Sequence, residues 1–256
     1  MRATFDFNGA RVFVFGGTSG INLGVAQCFA RAGATVGVAS RSQDKVDAAV
    51  ATLGAGAKGY ALDVRDPEAA AEAMADWGET DVLISGAAGN FPAPAVAMSP
   101  NGFKSVVDID LLGSFHVMKA AFPHLKKPGS TVIHISAPQA QVAMAMQSHV
   151  CAAKAGVDML TKCLALEWGP AGVRVNASSP GPIDNTEGRD RLAPSEEAKA
   201  AVTKSVPLRR HGQAEEIGQA CLWLASDAAA YVSGAILPVD GGWLAAGVPL
   251  DLTKMG

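Results

Sequence analysis

Tyrosine is nearly absent. Tyr60 and Tyr231 are the only two in 256 residues, so a phenolic acid has just two possible sources. Cysteine is also scarce: Cys28, Cys151, Cys163 and Cys221 are scattered without metal-site spacing and lie in apolar helical settings. They suit reduced core positions of a cytoplasmic protein, and no metal is expected. Charged residues make up only 18% of the chain and the formal net charge is −3, so no basic field points to nucleic acid. No apolar run is long enough to span a membrane. The start, Met1 to Asp6, lacks the apolar region of a signal peptide. The end, Thr253-Lys254-Met255-Gly256, is not a Ser-Lys-Leu type of peroxisomal address.

What is present is a hydrophobic fraction of 49%, ample for a large core in one α/β domain over residues 1–256. One stretch organises the rest: Val12-Phe13-Val14-Phe15-Gly16-Gly17-Thr18-Ser19-Gly20-Ile21-Asn22-Leu23-Gly24. Its apolar run reads as a buried strand. A glycine-rich turn follows, then helical spacing at Ile21, Val25 and Phe29, with Gly33 ending the helix after Ala32. Strand, glycine turn and helix together set a phosphate against a helix N-terminus, where open N–H groups and the dipole favour an anion. A bare βα turn without ligand would share the same glycines.

The remaining pattern alternates. Strands are expected at Thr35 to Ser40, Gly59 to Leu62, Asp81 to Ser85, Ser130 to Ser136, Val173 to Ala177 and around Ala235 to Leu237. Helices are expected from Gln43 to about Leu53, Pro67 to Trp77, through His149 to Trp168, and Ala214 to Leu224. This alternation implies a doubly wound Rossmann-type parallel sheet flanked by helices, with ligands beyond the carboxyl ends of the strands. Ser99-Pro100 starts another helix, with a capping hydroxyl and a first-turn proline. On it, Phe103, Val107, Asp110, Ser114 and Val117 fall on one stripe, while Asp108 lies about 200° from Asp110. A carboxylate on an apolar stripe is costly unless paired.

The spacing Gly16, three residues, Gly20, one residue, Asn22 resembles the turn of the short-chain dehydrogenase/reductase family, with Asn22 where that family usually has its third glycine. The resemblance extends over essentially the whole chain. It implies that Gly16, Thr18, Ser19, Gly20 and Ile21 contact a nicotinamide dinucleotide, as do Asp63, Val64 and Ala87. It also implies that Pro180, Gly181 and Ile183 position the nicotinamide, with Thr186 at its phosphates. Asp240-Gly241-Gly242-Trp243 is the family's usual ending. An acid near the end of the second strand normally bonds a ribose 2′-hydroxyl. This chain has Arg41 there, and a guanidinium suits a 2′-phosphate, so NADPH/NADP+ is the expected cofactor. A solvated loop arginine is the plain alternative.

Within the family, Ala87-Ala88-Gly89-Asn90-Phe91, Asp108-Ile109-Asp110 and Thr186-Glu187-Gly188 resemble the 2,4-dienoyl-CoA reductases of peroxisomal type. Lys154 matches the family's catalytic lysine, but Val150 stands at the tyrosine position and Ala137 at the serine position, with Ser136 beside it. The resemblance implies reduction of an acyl-CoA, with Asp110, Lys154 and Asn90 as catalytic residues. Asn90, Phe91, Met144 and Met146 would contact substrate, although the methionines would equally suit a subunit contact. His149 reads as a helix residue rather than a catalyst. Asp184 to Ser205 is expected to form a partly helical lid; Arg189, Arg191 and Lys204 could meet CoA phosphates there, although a solvated charge run is the plainer reading of each. A homotetramer through the two long helices is the implied assembly, with neither nucleic acid nor membrane as partner. Another carbonyl reductase of the family and a nucleotide-binding protein without turnover remain as alternatives.

Overall fold

A computed structural model describes residues 3–184, 186 and 195–247. Its strands are β1 (Arg11–Phe15), β2 (Thr35–Ser40), β3 (Lys58–Ala61), β4 (Val82–Ser85), β5 (Thr131–Ile135), β6 (Arg174–Pro180) and β7 (Ile236–Val239). They form one sheet in the order β3-β2-β1-β4-β5-β6-β7, and each neighbouring pair is parallel. The chain therefore winds outward in both directions from the β1/β4 boundary, the doubly wound form expected from the alternation.

Alternating side chains explain why the central strands read as continuous apolar runs. Val12 and Val14 of β1, with Val36, Val38, Ile84 and Ile133, enter a core on one face of the sheet. Phe13 and Phe15, with Leu83, Val132 and Val175, enter the core on the other. A sheet covered on both faces needs apolar residues at both parities. The first face is closed by α1 (Gly20–Arg31), α2 (Gln43–Val50) and, further along, a helix at Ala214–Ala225. The second is closed by α3 (Pro67–Trp77), α4 (Pro100–Val107), α5 (Gly113–Ala121) and α6 (Ser148–Trp168). The helix Glu196–Ser205 is α7, and Ala214–Ala225 is α8.

Helix α1 lies close against α8 because small residues meet there. A Cβ on Gly24 would strike Ala214, and one on Gly218 would overlap Cys28 Sγ. Gly24 therefore serves this helix contact.

Two local expectations need correction. Strand β6 runs on to Pro180, past Ala177: Ser178 and Ser179 are polar yet fully buried, Ser178 paired with both β5 and β7 and Ser179 with β7. The stripe through Asp110 is also broken. Between α4 and α5, residues Asp108–Leu112 form a π turn. Its i→i+5 bonding holds one residue more per turn than an α-helix, which re-phases the two halves. Asp110, Ser114 and Val117 are buried as expected, but in α4 Val106 is the buried residue and Phe103 is exposed.

Candidate active site

The carboxyl ends of β1, β2, β4, β5 and β6 border one cleft of about 610 Å³. At its phosphate end, Gly16 and Gly20 adopt φ of 76° and 53°, which side-chain-bearing residues resist. A Cβ on Gly16 would lie 2.8 Å from the Ala87 nitrogen, so the turn sits directly on the β4 loop. Ser19 precedes α1 without capping it through its side chain, so that end of the helix keeps its N–H groups for a ligand. Asn22 donates from Nδ2 to the Gly86 carbonyl at 2.7 Å, and a Cβ on Gly86 would collide with this amide. The residue in place of the family's third glycine thus ties the turn to β4. Its Oδ1 is buried without a hydrogen-bond partner among the described residues.

Thr18 Oγ1 donates to Ser40 Oγ at 2.8 Å, joining the turn to the end of β2. Arg41 follows, exposed at the cleft edge. Asp63 is held by Arg65, with Nη2 to Oδ2 at 2.5 Å. That hydrogen-bonded guanidinium holds the Asp63 carboxyl below its usual range, and the charge of Arg41 adds to the effect.

At the inner end, the π turn carries Asp110 into the cleft wall, 1% exposed. Its Oδ1 accepts the Gly89 N–H at 2.7 Å, and its Oδ2 faces Lys154 Nζ at 3.4 Å. Lys154, on α6, also donates to the Ile135 carbonyl at 3.0 Å. Burial pushes the Asp110 carboxyl up; Lys154 and the Gly89 N–H pull it back only in part. Val150 and Ala137 border the same space and offer no hydroxyl.

Behind Lys154, α6 presents further polar groups to β5. Ser136 Oγ donates to Asp158, and Thr161 Oγ1 lies 3.0 Å from His134 Nδ1. His134 is fully buried, and desolvation pushes its pKa down to about 4.

Nearly all the residues singled out from sequence border this cleft. Gly16, Thr18, Ser19, Gly20, Ile21, Arg41, Asp63, Val64, Ala87, Asn90, Asp110, Lys154, Pro180, Gly181, Ile183 and Thr186 are brought together there. Phe91, Met144 and Met146 are not in its lining. Phe91 packs on His149, with ring centroids 4.6 Å apart, and His149 is buried. Met144 sits in a small cluster with Val206 and Trp243. Met146 takes a φ of 63° in the turn before α6. Of the expected lid, α7 reaches the cleft through Val202 and is tied down where Trp243 Nε1 donates to Ser205 Oγ at 3.0 Å. Glu187, Gly188, Arg189 and Arg191 lie outside the described residues. Asp158 was not singled out from sequence. The available signal was its place four residues after Lys154, one turn along the same helix face.

The cleft fits a dinucleotide on its own geometry. Open helix N–H groups face the phosphate end, Gly16 leaves no room for a side chain, and the buried Asn22 oxygen has an unused acceptor site. A family model described as Enoyl-(Acyl carrier protein) reductase matches residues 16–244. The chain belongs to the short-chain dehydrogenase/reductase family, oxidoreductases that use a nicotinamide nucleotide. Its relatives include peroxisomal 2,4-dienoyl-CoA reductases described as (3E)-enoyl-CoA-producing. The protein from Danio rerio is 42% identical over 91% of this chain and 81% of its own. The one from Arabidopsis thaliana is 40% identical over 92% of this chain and 85% of its own. Among solved structures, a short chain dehydrogenase from Bacillus anthracis superposes with a TM-score of 0.84 at 36% identity, covering 91% of this chain and 96% of the other.

Proposed function

We propose that the protein is an NADPH-dependent reductase of 2,4-dienoyl-CoA thioesters. One observation carries the proposal: a buried Asp110–Lys154 pair faces the cleft at the very place where Val150 and Ala137 supply no hydroxyl. A ketone reductase relying on a tyrosine proton has no acid here, whereas a conjugated thioester takes its proton on carbon and accepts it from water. The family names of the relatives support the same substrate class.

A nicotinamide held in the cleft would supply the hydride that reaches the δ carbon of the substrate. Arg41 binds the 2′-phosphate, and the N-terminus of α1 with Gly16, Thr18, Ser19, Gly20 and Ile21 binds the pyrophosphate. Asp63, Val64 and Ala87 border the adenosine half. Pro180, Gly181, Ile183 and Thr186 hold the other half, and Lys154 the ribose beside it. Asn90 donates a hydrogen bond to the thioester oxygen as the dienolate forms. Asp110 orients a water whose proton goes to the α carbon, which leaves the double bond between C3 and C4 and a hydroxide that bulk water reprotonates. Phe91, Met144 and Met146 form the wall behind the acyl site, and the lid receives CoA. Leu112, Phe115, Met159 and Leu166 leave exposed apolar surface on α5, α6 and the π turn, which supports a homotetramer through these helices. Among the described residues no helix is long and apolar enough to cross a membrane, and the cytoplasm is the proposed location.

The test is NADPH loss with a panel of carbonyls, 2-enoyl-CoAs and 2,4-dienoyl-CoAs, with NMR of the product. Fast loss only with dienoyl-CoA and a 3-enoyl product is expected. Preference for a ketone or aldehyde would assign the chain to carbonyl reduction. Cofactor binding without turnover of any compound would make it a nucleotide-binding protein.

A further inference from the structure

Ser136 and Asp158 form a pair that the scheme above does not use. Ser136 closes β5 and borders the cleft, on the same wall as Ala137 and Lys154. Its hydroxyl donates to Asp158 Oδ1. Asp158 is 7% exposed and sits one helical turn beyond Lys154. A hydroxyl has a single proton. While Asp158 is ionised it can only accept, so it claims that proton and leaves Ser136 to present lone pairs to the cleft. A protonated Asp158 can instead donate to Ser136, which frees the serine proton to point at a substrate oxygen.

We propose that Asp158 is a positioning residue whose protonation state sets the direction of the Ser136 hydroxyl, and that the protonated form makes Ser136 a second donor to the thioester oxygen alongside Asn90. The proposal rests on the dienoyl-CoA reading of the cleft for its substrate. No bond to carbon is made or broken by the pair. Asp158 takes its proton from solvent and returns it there as pH rises; Ser136 keeps its own proton, and the hydrogen bond between the two reverses direction.

The surroundings suit such a switch. The charged groups acting on Asp158 are Lys154 and Lys162 from its own helix, and its polar neighbours across from it are Ser136 and Gln141. His134 is buried next along β5 with its pKa depressed to about 4, so it brings no positive charge near neutrality. Burial is the largest influence on Asp158 and favours its neutral form, while both lysines and the two hydrogen bonds oppose it. The neutral form thus persists above the usual aspartate range. It is lost as pH rises through the raised pKa, and the donor is lost with it.

Asparagine at position 158 carries an amide that donates permanently, mimicking the protonated acid. The parent should show a kcat that falls on the alkaline side, and Asp158→Asn should hold a flat rate through that range. Ser136→Ala should lose the donor and lower kcat by about 10²-fold, the scale of one oxyanion donor, while NADPH affinity is unchanged. A second readout needs no turnover. Infrared titration of the enzyme with product enoyl-CoA bound should show a protonated-carboxyl band that is absent in Asp158→Asn and that shifts in Ser136→Ala. An alkaline limb that survives unchanged in Asp158→Asn, or a band that does not depend on residue 158, would overturn the proposal. If the parent reduces no dienoyl-CoA but the band titrates as described, the substrate reading fails and the switch stands.

Discussion

Replacing Asp110 by asparagine separates charge from shape at the centre of the cleft. The amide oxygen can still accept the Gly89 N–H, now 2.7 Å from Oδ1, and the side chain keeps its size. What disappears is a negative charge 3.4 Å from Lys154 Nζ and the ability to pass on a proton. At an effective dielectric of about 20, that separation corresponds to about 5 kcal/mol of attraction. Desolvation works against it, as the raised carboxyl pKa records, so the net change in stability should be well below this figure. Lys154 retains the Ile135 carbonyl, which limits its displacement. The chemical step has no such compensation. Losing a positioned acid or base lowers the rate by about 10²–10⁴, equivalent to about 3–5.5 kcal/mol in the barrier. Purified parent and Asp110→Asn should therefore differ by that factor in single-turnover NADPH oxidation with a 2,4-dienoyl-CoA. Their NADPH dissociation constants should agree within about threefold, as a small change in lysine placement implies. Lys154→Ala should weaken both rate and cofactor binding. An Asp110→Asn variant that reduces the dienoyl-CoA at nearly the parent rate would refute the role of Asp110 in proton delivery.

Three further outcomes are expected. Arg41→Ala should weaken NADPH by about 1.5–3 kcal/mol, the scale of a charge-assisted hydrogen bond, and leave NADH nearly unchanged; equal losses in titration calorimetry would show that Arg41 does not read the 2′-phosphate. His134 titrates at about 4 in the folded chain against an ordinary 6.5, so folding favours its neutral form. The unfolded chain takes up that proton first, and about 3 kcal/mol of stability, present above pH 6.5, should be lost as pH falls through 4. Urea midpoints of His134→Gln should be flatter than those of the parent across that window, and parallel curves would count against this. Gly218→Ala should cost about 1–3 kcal/mol, because its methyl overlaps Cys28 Sγ between α1 and α8. An unchanged urea midpoint would mean that the two helices separate freely.

The parallel sheet could be read from the chain because its central strands must be apolar at both parities, as Val12 to Phe15 and the pair Val132-Ile133 are. The phosphate end of the cleft could be read from the strand, glycine turn and helix at Gly16 to Gly20, and the place of Lys154 from the resemblance to the family. Three things stayed hidden for physical reasons. Ser178 and Ser179 look like a loop until their backbones are seen in the sheet, Ser178 between β5 and β7 and Ser179 against β7. The π turn uses ordinary helix-forming residues, so nothing in Asp108 to Leu112 announces an extra residue per turn. Asp158 hides in an apolar helix because its partner, Ser136, is 22 residues away on another element.

The extra residue between α4 and α5 also affects how relatives of this chain can differ. An α-helix advances 100° per residue, so a one-residue deletion inside a regular helix would swing everything beyond it by that angle. At Asp108–Leu112 the same deletion would restore ordinary winding and spare the two ends, which lie on separate anchors. Val106 packs near α6, and Val117 and Met118 pack in the core beneath the sheet. What would be re-aimed is the turn itself, Ile109, Asp110 and Leu111, with the carboxylate in its middle. Chain length at this one turn is therefore a coarse dial on which side chain looks into the cleft, separable from the identity of that side chain. Two homologues with aspartate in the same aligned column would not share a site if their lengths differ here by one.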